Sequence, residues 1–483
     1  MNIGYVWTAM STKTKTIKYN MMMNTLLRAS SIVYPLITLP YVTRILGTEG
    51  VGKVYFASSV IAFFALFAEL GIPVYGIRAC ARVRDDKTEL SRTTHEIMAI
   101  NLVTCLIAYA GLALSIITVP RLSDDRTLII IMSALILLNA LGAEWLYKAI
   151  ENYTYITVRS LLFKLIALIA MFMLVREKSD YIIYGGITIF AASASNILNF
   201  INLRKHITLR PVWGYRFARH LPAILMFFAL AIATSIYINL DLAILGFMKG
   251  DTEAGLYGVS VKIKLVLVSL ITSVSSVLLP RNSYYYDRGR TKEFTALLSK
   301  TMNAVITVSA AIVLYFIVYA GDCIELLAGR SFEGSVPSMK IIMPAIVFIG
   351  ISNIIGMQML VPQGREKETV IAAVIGAAAD LILNFILIPR FASTGAAAAT
   401  LTAEICVTGY MIYAAGRESG KLFAGISYMG IIAALAAAYA ASLPARAVSS
   451  VFLRLVTTAV CFFGVYMAVI IIIWRKNGLL HRD

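Results

Sequence analysis

Long apolar runs dominate this sequence and restrict the folds that it can adopt. About fourteen segments are apolar over the roughly 20 residues that a helix needs to cross about 30 Å of hydrocarbon. Only 14% of the residues are charged, whereas soluble proteins have about 25%. We therefore predict an all-α polytopic membrane protein. The predicted spans lie near 19–43, 54–77, 97–119, 127–148, 158–175, 181–203, 221–247, 256–280, 302–321, 338–361, 368–389, 393–415, 425–443 and 452–474.

The loops between these spans predict the orientation of the chain. Lys and Arg residues are more than twice as frequent in the loops on the side of the N-terminus as in those on the other side. Cytoplasmic loops of membrane proteins carry such an excess, so both termini are predicted to be cytoplasmic, with residues 1–17 as a tail. The net charge of +17 then indicates contact with anionic phospholipids and not with nucleic acid.

Cysteine and histidine give no indication of metal or cofactor chemistry. The five cysteines are scattered and form no CxxC pair, and the four histidines lie in or beside polar loops. No loop is long enough to hold a soluble catalytic domain. We expect neither a metal site, nor a cofactor, nor a catalytic centre.

One stretch, residues 237–264, contains ionisable groups where an apolar span is predicted. Asp241 lies inside the seventh span, and Lys262 and Lys264 follow early in the eighth. A charge inside hydrocarbon costs several kcal/mol and is by default a functional-site hypothesis. The alternative is that the lysines reach the membrane interface and Asp241 pairs with a neighbouring helix. The two lysines are two residues apart, so at most one is expected to face the interior of the bundle.

The same stretch contains an echo of an earlier one. A Thr-Glu pair follows the first span within residues 47–55 and follows the seventh span within 251–257, each time with glycine and then tyrosine nearby. Repeated halves are common in transporters, whose substrate path lies at the interface of the repeats. The position of the echo, at the start of each half, predicts such a repeat.

Other charges also lie within predicted spans. Arg28 lies near the middle of the first span and Lys164 in the fifth, while Asp380 and Glu404 lie near mid-depth in the eleventh and twelfth. An arginine fork can bind two phosphate oxygens at once, so a cavity lined by Arg28 and one or two lysines would suit an anionic headgroup. The acidic residues could equally pair with basic ones on neighbouring helices.

Several segments share their order and motifs with one family. They are 72–87, with its Arg-Ala-Cys-Ala-Arg run; 144–151 and 155–164; 240–246; 255–262, which opens with Gly-Leu-Tyr; 352–367; and 394–404. Together they resemble the Wzx-type oligosaccharide flippases, polysaccharide transporters of the superfamily that includes MATE exporters and the lipid II flippase. One position departs from the pattern: Leu242 follows Asp241 where many relatives have a basic residue.

The resemblance implies a fold of two six-helix lobes, residues 18–206 and 207–416, around a central cavity, with two flanking helices in 417–483. It implies a flippase in the bacterial inner membrane that moves an undecaprenyl-pyrophosphate-linked oligosaccharide to the outer leaflet by alternating access. Such units are later polymerised into O-antigen or capsule. Candidate headgroup ligands are Arg28, Lys164 and Lys262; candidate ion-coupling or gating residues are Asp241, Asp380 and Glu404.

Three other functions fit the same pattern of spans. A MATE-like drug or cation antiporter shares the implied fold but would favour an acidic cavity, and a lipid II flippase shares both the topology and a basic cavity. A membrane glycan polymerase would usually have a large external loop or an intramembrane histidine, which this sequence lacks. A glycan polymerase and chain-length proteins are further candidate partners. The sequence leaves the sugar, the coupling ion and the oligomeric state open.

Overall fold

The computed structural model describes residues 17–476, apart from the side chains of 17–18, 230, 233–239, 274–277, 280 and 476. The predicted N-terminal tail, residues 1–17, thus lies essentially outside the described residues. Within them, every regular element is helical. Helices α1 to α9 are Ile17–Glu69, Ile72–Arg82, Lys87–Thr118, Pro120–Asp124, Arg126–Gly142, Glu144–Ala149, Tyr153–Leu174, Tyr181–Ile189 and Asn196–Asn202. Helices α10 to α19 are Leu221–Lys249, Asp251–Asp287, Thr291–Val318, Ala320–Ala328, Ser335–Ile342, Ala345–Asn353, Glu366–Ala415, Arg417–Phe423, Tyr428–Ser442 and Val451–Lys476.

Ten of the described helical segments are long and apolar enough to cross a membrane. Shorter apolar helices, among them Arg126–Gly142, supplement them. The longest ones contain breaks: α1 kinks at Gly47 and α16 kinks at Ala392, so each contains two of the predicted spans. The prediction of an all-α, multi-pass membrane protein is therefore confirmed, and a total of fourteen spans is consistent with these helices.

The chain divides into two compact units. Of the described residues, unit 1 contains 17–35, 64–175 and 182–231, and unit 2 contains 36–63, 176–181 and 232–476. Both α1 and α10 contribute residues to the two units. The lobe boundaries expected after residues 206 and 416 stay a prediction.

Unit 1 contains a pair of short helices, α2 and α6, that pack closely against each other. Each follows a residue with a left-handed backbone, Gly71 before α2 and Ala143 before α6. A Cβ on Gly76 of α2 would lie 2.6 Å from the ring of Trp145 on α6. The tryptophan belongs to a buried apolar cluster that includes Ile72. This packing fixes the position of Glu144, the residue that opens α6.

Unit 2 contains the two predicted flanking helices, observed as α18 and α19, which pack against each other. The Tyr466 hydroxyl of α19 donates to the carbonyl oxygen of Thr307 on α12 over 2.7 Å. Arg454 of α19 pairs with Asp322 of α13, also over 2.7 Å. Polar contacts, together with apolar packing, thus tie the flanking helices to the rest of this unit.

The two echoed stretches of sequence meet within unit 2. Gly47 and Gly250 both have positive φ, 68° and 86°, and both have ψ of −175°, so the backbone breaks in the same way before each following helix. After the breaks the backbones touch: a Cβ on Gly52 would lie 1.8 Å from the carbonyl oxygen of Asp251. On the other side, a Cβ on Gly255 would lie 2.2 Å from the carbonyl oxygen of Thr48. The glycines of the echo therefore permit a close approach of two helices.

This contact gives a prediction about stability. Gly52→Ala places a methyl group against a carbonyl oxygen that is itself part of a helix backbone, so the helices must move apart. Overpacking of this kind costs about 1–3 kcal/mol. Gly409→Ala is the matched control, because nothing lies within 4 Å of a Cβ there. We expect the thermal midpoint of the purified protein to fall for Gly52→Ala alone; equal midpoints would show that the contact tolerates the methyl group.

Candidate functional site

Arg28 and Lys164, the first two candidate headgroup ligands, both lie in unit 1. Arg28 is on α1 and is exposed, and within the described part of the chain no carboxylate contacts its guanidinium. Lys164 is on α7, where its ammonium donates to the hydroxyls of Ser30 and Ser31 over 3.0 and 2.8 Å. Residues three apart lie on the same face of a helix, so Arg28 and Ser31 share a face of α1. The structure therefore brings Lys164 to the face of α1 that presents Arg28.

A second hydrogen bond holds α7 against α1. The Thr157 hydroxyl donates to the carbonyl oxygen of Met23 over 3.0 Å. Thr157 and Lys164 are seven residues apart, about two helical turns, so both contacts come from one face of α7. The position of the Lys164 ammonium is thus set by the packing of the two helices and not by pairing with a carboxylate.

Behind Lys164, the fully buried Arg159 organises a polar network. Its guanidinium donates to the carbonyl oxygen of Ser195, to Asn196 Oδ1 and to Glu144 Oε2, over 2.7, 3.0 and 3.0 Å. Glu144 also pairs with Lys148, four residues later on the same face of α6, over 2.8 Å. Arg159 lies at the start of the predicted span 158–175; the structure places it inside unit 1, with only 1% of its surface exposed.

The network continues through two asparagines. The Asn196 side chain donates to that of Asn139 over 3.1 Å, and Asn139 donates to Glu69 Oε1 over 2.9 Å. A chain of hydrogen-bonded side chains thus runs from Glu69 on α1 to Lys148 on α6. Since Glu144 is already bound to Arg159 and Lys148, it does not neutralise Lys164 by a direct contact.

Unit 2 contains the three candidate ion-coupling residues, which lie near one another, and one of them, Asp241, accepts hydrogen bonds from several donors. Asp241 is 6% exposed. It accepts hydrogen bonds from the Tyr257 hydroxyl over 2.6 Å, the Thr400 hydroxyl over 2.7 Å and the Asn384 amide over 2.7 Å. These donors come from α11 and α16, so the carboxylate of Asp241 joins α10 to both.

Asp380 lies beside this group in a different environment. It is 1% exposed, and within the described residues neither of its carboxyl oxygens has a well-oriented hydrogen bond. Asp241, Glu404 and Lys264 are its charged neighbours. Glu404 is buried as well, so three carboxyl groups share a nearly dry site with one ammonium. Negative charge concentrated in such a site would attract a small cation, because charges interact more strongly where water is scarce.

Lys262 lies elsewhere in unit 2. Its ammonium is 5.7 Å from the centre of the Tyr55 ring, within the range of a cation–π contact. Lys264, two residues on, is the lysine that lies near the acidic cluster. A headgroup contact for Lys262 stays a prediction.

Sequence reasoning identified the three carboxylates of the acidic cluster but missed the groups that surround Asp241. A signal was present in the spacing: Asn384 follows Asp380 by four residues and Glu404 follows Thr400 by four, so each pair shares a helix face. The sequence indicated Tyr257 only as part of the echo at 251–257 and of the motif at 255–262, and not as a ligand of Asp241. Its hydroxyl lies at the centre of the cluster and contacts both Asp241 and Thr400.

Substitution of Asp241 and substitution of Asp380 should have different effects on the stability of the protein. Asp241→Ala removes the shared acceptor of three buried donors. The Thr400 hydroxyl keeps a second acceptor and the Tyr257 hydroxyl still contacts Thr400, but within the described residues the Asn384 amide loses its acceptor, which costs about 1–3 kcal/mol. Asp380→Asn keeps the shape and removes a charge that no hydrogen bond satisfies, so stability should be unchanged or higher. Thermal unfolding of the purified variants measures both effects. Equal losses would mean that Asp380 has stabilising contacts comparable to those of Asp241.

Comparison with known proteins agrees with the resemblance seen in the sequence. Residues 17–286 match the family described as polysaccharide biosynthesis protein. A putative O-antigen transporter of Escherichia coli (strain K12) is 24% identical over 410 residues, covering 83% of this chain and 97% of that protein. One of Shigella dysenteriae is 24% identical over 413 residues, covering 82% and 99%. These relatives are named as transporters, which confirms the prediction of a transport protein and not an enzyme.

Solved structures show the same fold. A lipid II flippase, MurJ, in an inward closed conformation is similar with a TM-score of 0.72 and 17% identity, covering 95% of this chain and 99% of that one. An inward-facing multidrug resistance MATE transporter is similar with a TM-score of 0.63 and 12% identity, covering 81% and 95%. Both belong to the superfamily that the sequence motifs indicated. The family match covers more than half of the sequence, and the chain belongs to the polysaccharide biosynthesis protein family.

Proposed function

We propose that the protein flips a polyprenyl-pyrophosphate-linked oligosaccharide across the bacterial inner membrane, from the cytoplasmic to the outer leaflet, for surface polysaccharide synthesis. The observation that supports this proposal most directly is the set of hydrogen bonds made by the Lys164 ammonium. Its ammonium is held by two neutral hydroxyls on the face of α1 that presents Arg28. Neither cation has a hydrogen-bonded carboxylate within the described residues, so both are available to an anionic group.

The chemistry of the substrate explains why such cations are needed. Each sugar hydroxyl taken into hydrocarbon without a partner costs roughly 2–7 kcal/mol, so an oligosaccharide headgroup does not cross a bilayer unaided. The pyrophosphate carries further charge. Arg28 would bind it as a fork across two oxygens, and Lys164 would supply a point charge beside the Ser30 and Ser31 hydroxyls. Lys262 is a third candidate ligand in this proposal, while the polyprenyl tail remains in lipid.

The acidic cluster of unit 2 is the proposed site of coupling. Asp241, Asp380 and Glu404 concentrate negative charge where water is scarce, and an ion that binds there changes the net charge of the site. Transporters of this kind alternate access by rocking one repeat against the other. We propose that uptake and release of an ion at this cluster biases that motion, with the lobes at 18–206 and 207–416 and both termini in the cytoplasm.

Two other transport functions are alternatives to this proposal, a MATE-like antiporter and a lipid II flippase. A MATE-like antiporter would bind a cationic drug, but the exposed Arg28 and the half-exposed Lys164 would repel such a substrate. A lipid II flippase would use the same cations, and loss of such a protein would stop growth and not merely remove surface glycan. A glycan polymerase is disfavoured because the relatives are transporters. A polymerase and chain-length proteins would act on the flipped product and are proposed as partners.

Headgroup binding can be tested by charge substitutions in unit 1. We expect Arg28→Ala to abolish surface glycan while the protein remains in the membrane, because the side chain is exposed and its loss leaves no buried partner unsatisfied. Lys164→Arg should keep most activity and Lys164→Glu should lose it, since only the former preserves a cation beside the serines. Glycan display on whole cells, with immunoblotting of membranes, measures both.

Two results would contradict this assignment. Normal glycan in Arg28→Ala cells would remove Arg28 from the site, and equal activity of Lys164→Arg and Lys164→Glu would exclude contact with an anion. Arg330→Ala serves as the control. That guanidinium is exposed and already paired with Glu325 over 2.7 Å, so its loss should leave display unchanged.

Coupling can be tested separately with Asp380→Asn. This variant should fold, as argued above, yet it cannot gain or lose a proton at residue 380. In proteoliposomes we expect it to move lipid-linked oligosaccharide at a rate that no longer responds to an imposed ion gradient, whereas the unsubstituted protein accelerates at least several-fold. A variant that keeps the full response would show that the coupling ion binds elsewhere.

A further inference from the structure

Arginine and tyrosine side chains form a cluster at the C-terminal end of α11. The proposed transport cycle does not use this surface. The guanidinium of Arg281 is 5.4 Å from the centre of the Tyr285 ring, and its Nε donates to the Tyr285 hydroxyl over 2.9 Å. Arg290 lies over the same ring at 5.0 Å, and Arg288 lies over the Tyr284 ring at 5.6 Å. Two aromatic rings thus hold three guanidinium groups together at one end of a helix.

The charge of this cluster is only partly balanced. Arg290 pairs with Glu293 over 2.7 Å. Arg281 and Arg288 are exposed, and within the described residues no carboxylate contacts either of them. Residues 281–293 contain four cationic side chains and two acidic ones. Two guanidinium forks are therefore oriented by rings and remain free to bind an anion.

The position of the cluster relative to the apolar part of α11 indicates what that anion belongs to. Leu270 lies in the membrane-spanning part of the helix, and 57% of its surface is exposed. Arg281 and Arg288 follow it by about three and five helical turns, so all three residues lie on one face of α11. Tyrosine is enriched at the headgroup level of membranes. An exposed apolar side chain on the membrane-spanning part of the helix, with free guanidinium groups beyond its end, matches a lipid with a tail along the helix and a phosphate at its end.

We propose that the C-terminal end of α11 is a binding site for the headgroup of an anionic phospholipid, held by Arg281 and Arg288 with Tyr284 and Tyr285 as supports. Guanidinium forks bind phosphate oxygens in pairs, and the rings hold the forks in place without neutralising them. A zwitterionic headgroup adds an ammonium group that the cluster repels. The site is independent of the flipping activity and does not require it.

The test is lipid binding by the purified, delipidated full-length protein, titrated with phosphatidylglycerol or phosphatidylcholine and followed by native mass spectrometry. A basic side chain near anionic lipid is worth about a fivefold gain in binding. The unsubstituted protein should bind phosphatidylglycerol more tightly than phosphatidylcholine. R281Q/R288Q should lose about fivefold in affinity for phosphatidylglycerol per arginine. R281K/R288K keeps the charge and should bind more tightly than the glutamine variant.

R330Q is the matched control, because it removes an exposed guanidinium that already has a carboxylate partner. Its affinity for phosphatidylglycerol should equal that of the unsubstituted protein. Unchanged affinity in R281Q/R288Q, or equal binding of the two phospholipids by the unsubstituted protein, would overturn the proposal. A parallel titration with a polyprenyl diphosphate separates the sources of phosphate. If R281Q/R288Q loses affinity for the diphosphate lipid and not for phosphatidylglycerol, the cluster is a substrate site and the proposal fails.

Discussion

A charged side chain inside a membrane protein must find its partners within the protein, because hydrocarbon offers none. Asp241, and Arg159 at both of its terminal nitrogens, satisfy this requirement in complementary ways. The guanidinium of Arg159 has a backbone carbonyl, an amide oxygen and a carboxylate as acceptors. The carboxylate of Asp241 has two hydroxyls and an amide as donors. Each residue thereby ties together helices that are apolar on most of their surface, and each fixes the position of functional candidates beside it.

Asp380 does not satisfy this requirement, and that exception is informative. A fully buried carboxyl group without well-oriented hydrogen bonds, beside a second carboxylate, is costly to keep ionised. Its one cationic neighbour is the buried Lys264, which also has Asp241 and Glu404 in the same cluster. Groups of this kind usually persist for a purpose other than stability. Asp241, in contrast, has hydrogen-bond donors for both of its carboxylate oxygens, so the two acidic residues of the cluster differ in how well their surroundings satisfy them.

The apolar runs of the sequence predicted most of the fold, but they did not predict which side chains contact each other. The lengths of the runs were sufficient to predict an all-helical membrane protein, and the echo around Gly47 and Gly250 corresponds to a real contact. A helix that is apolar on all sides, however, carries no signal of which face turns inward. For this reason the partners of Asp241 could not be predicted, although each donor was visible in the sequence.

The two kinds of candidate site differ in exposure as well as in charge, and the difference matches what each would have to do. A headgroup is large and must arrive and leave whole, so its ligands need open surface; Arg28 is exposed and Lys164 is partly so. A coupling ion is small, and its effect on the protein grows as water is removed, because charges interact more strongly in a low dielectric. The three carboxylates of the acidic cluster, Asp241, Asp380 and Glu404, are accordingly buried. In the proposed cycle, an exposed site for the headgroup and a buried site for the ion would let binding of the small ligand control the movement of the large one.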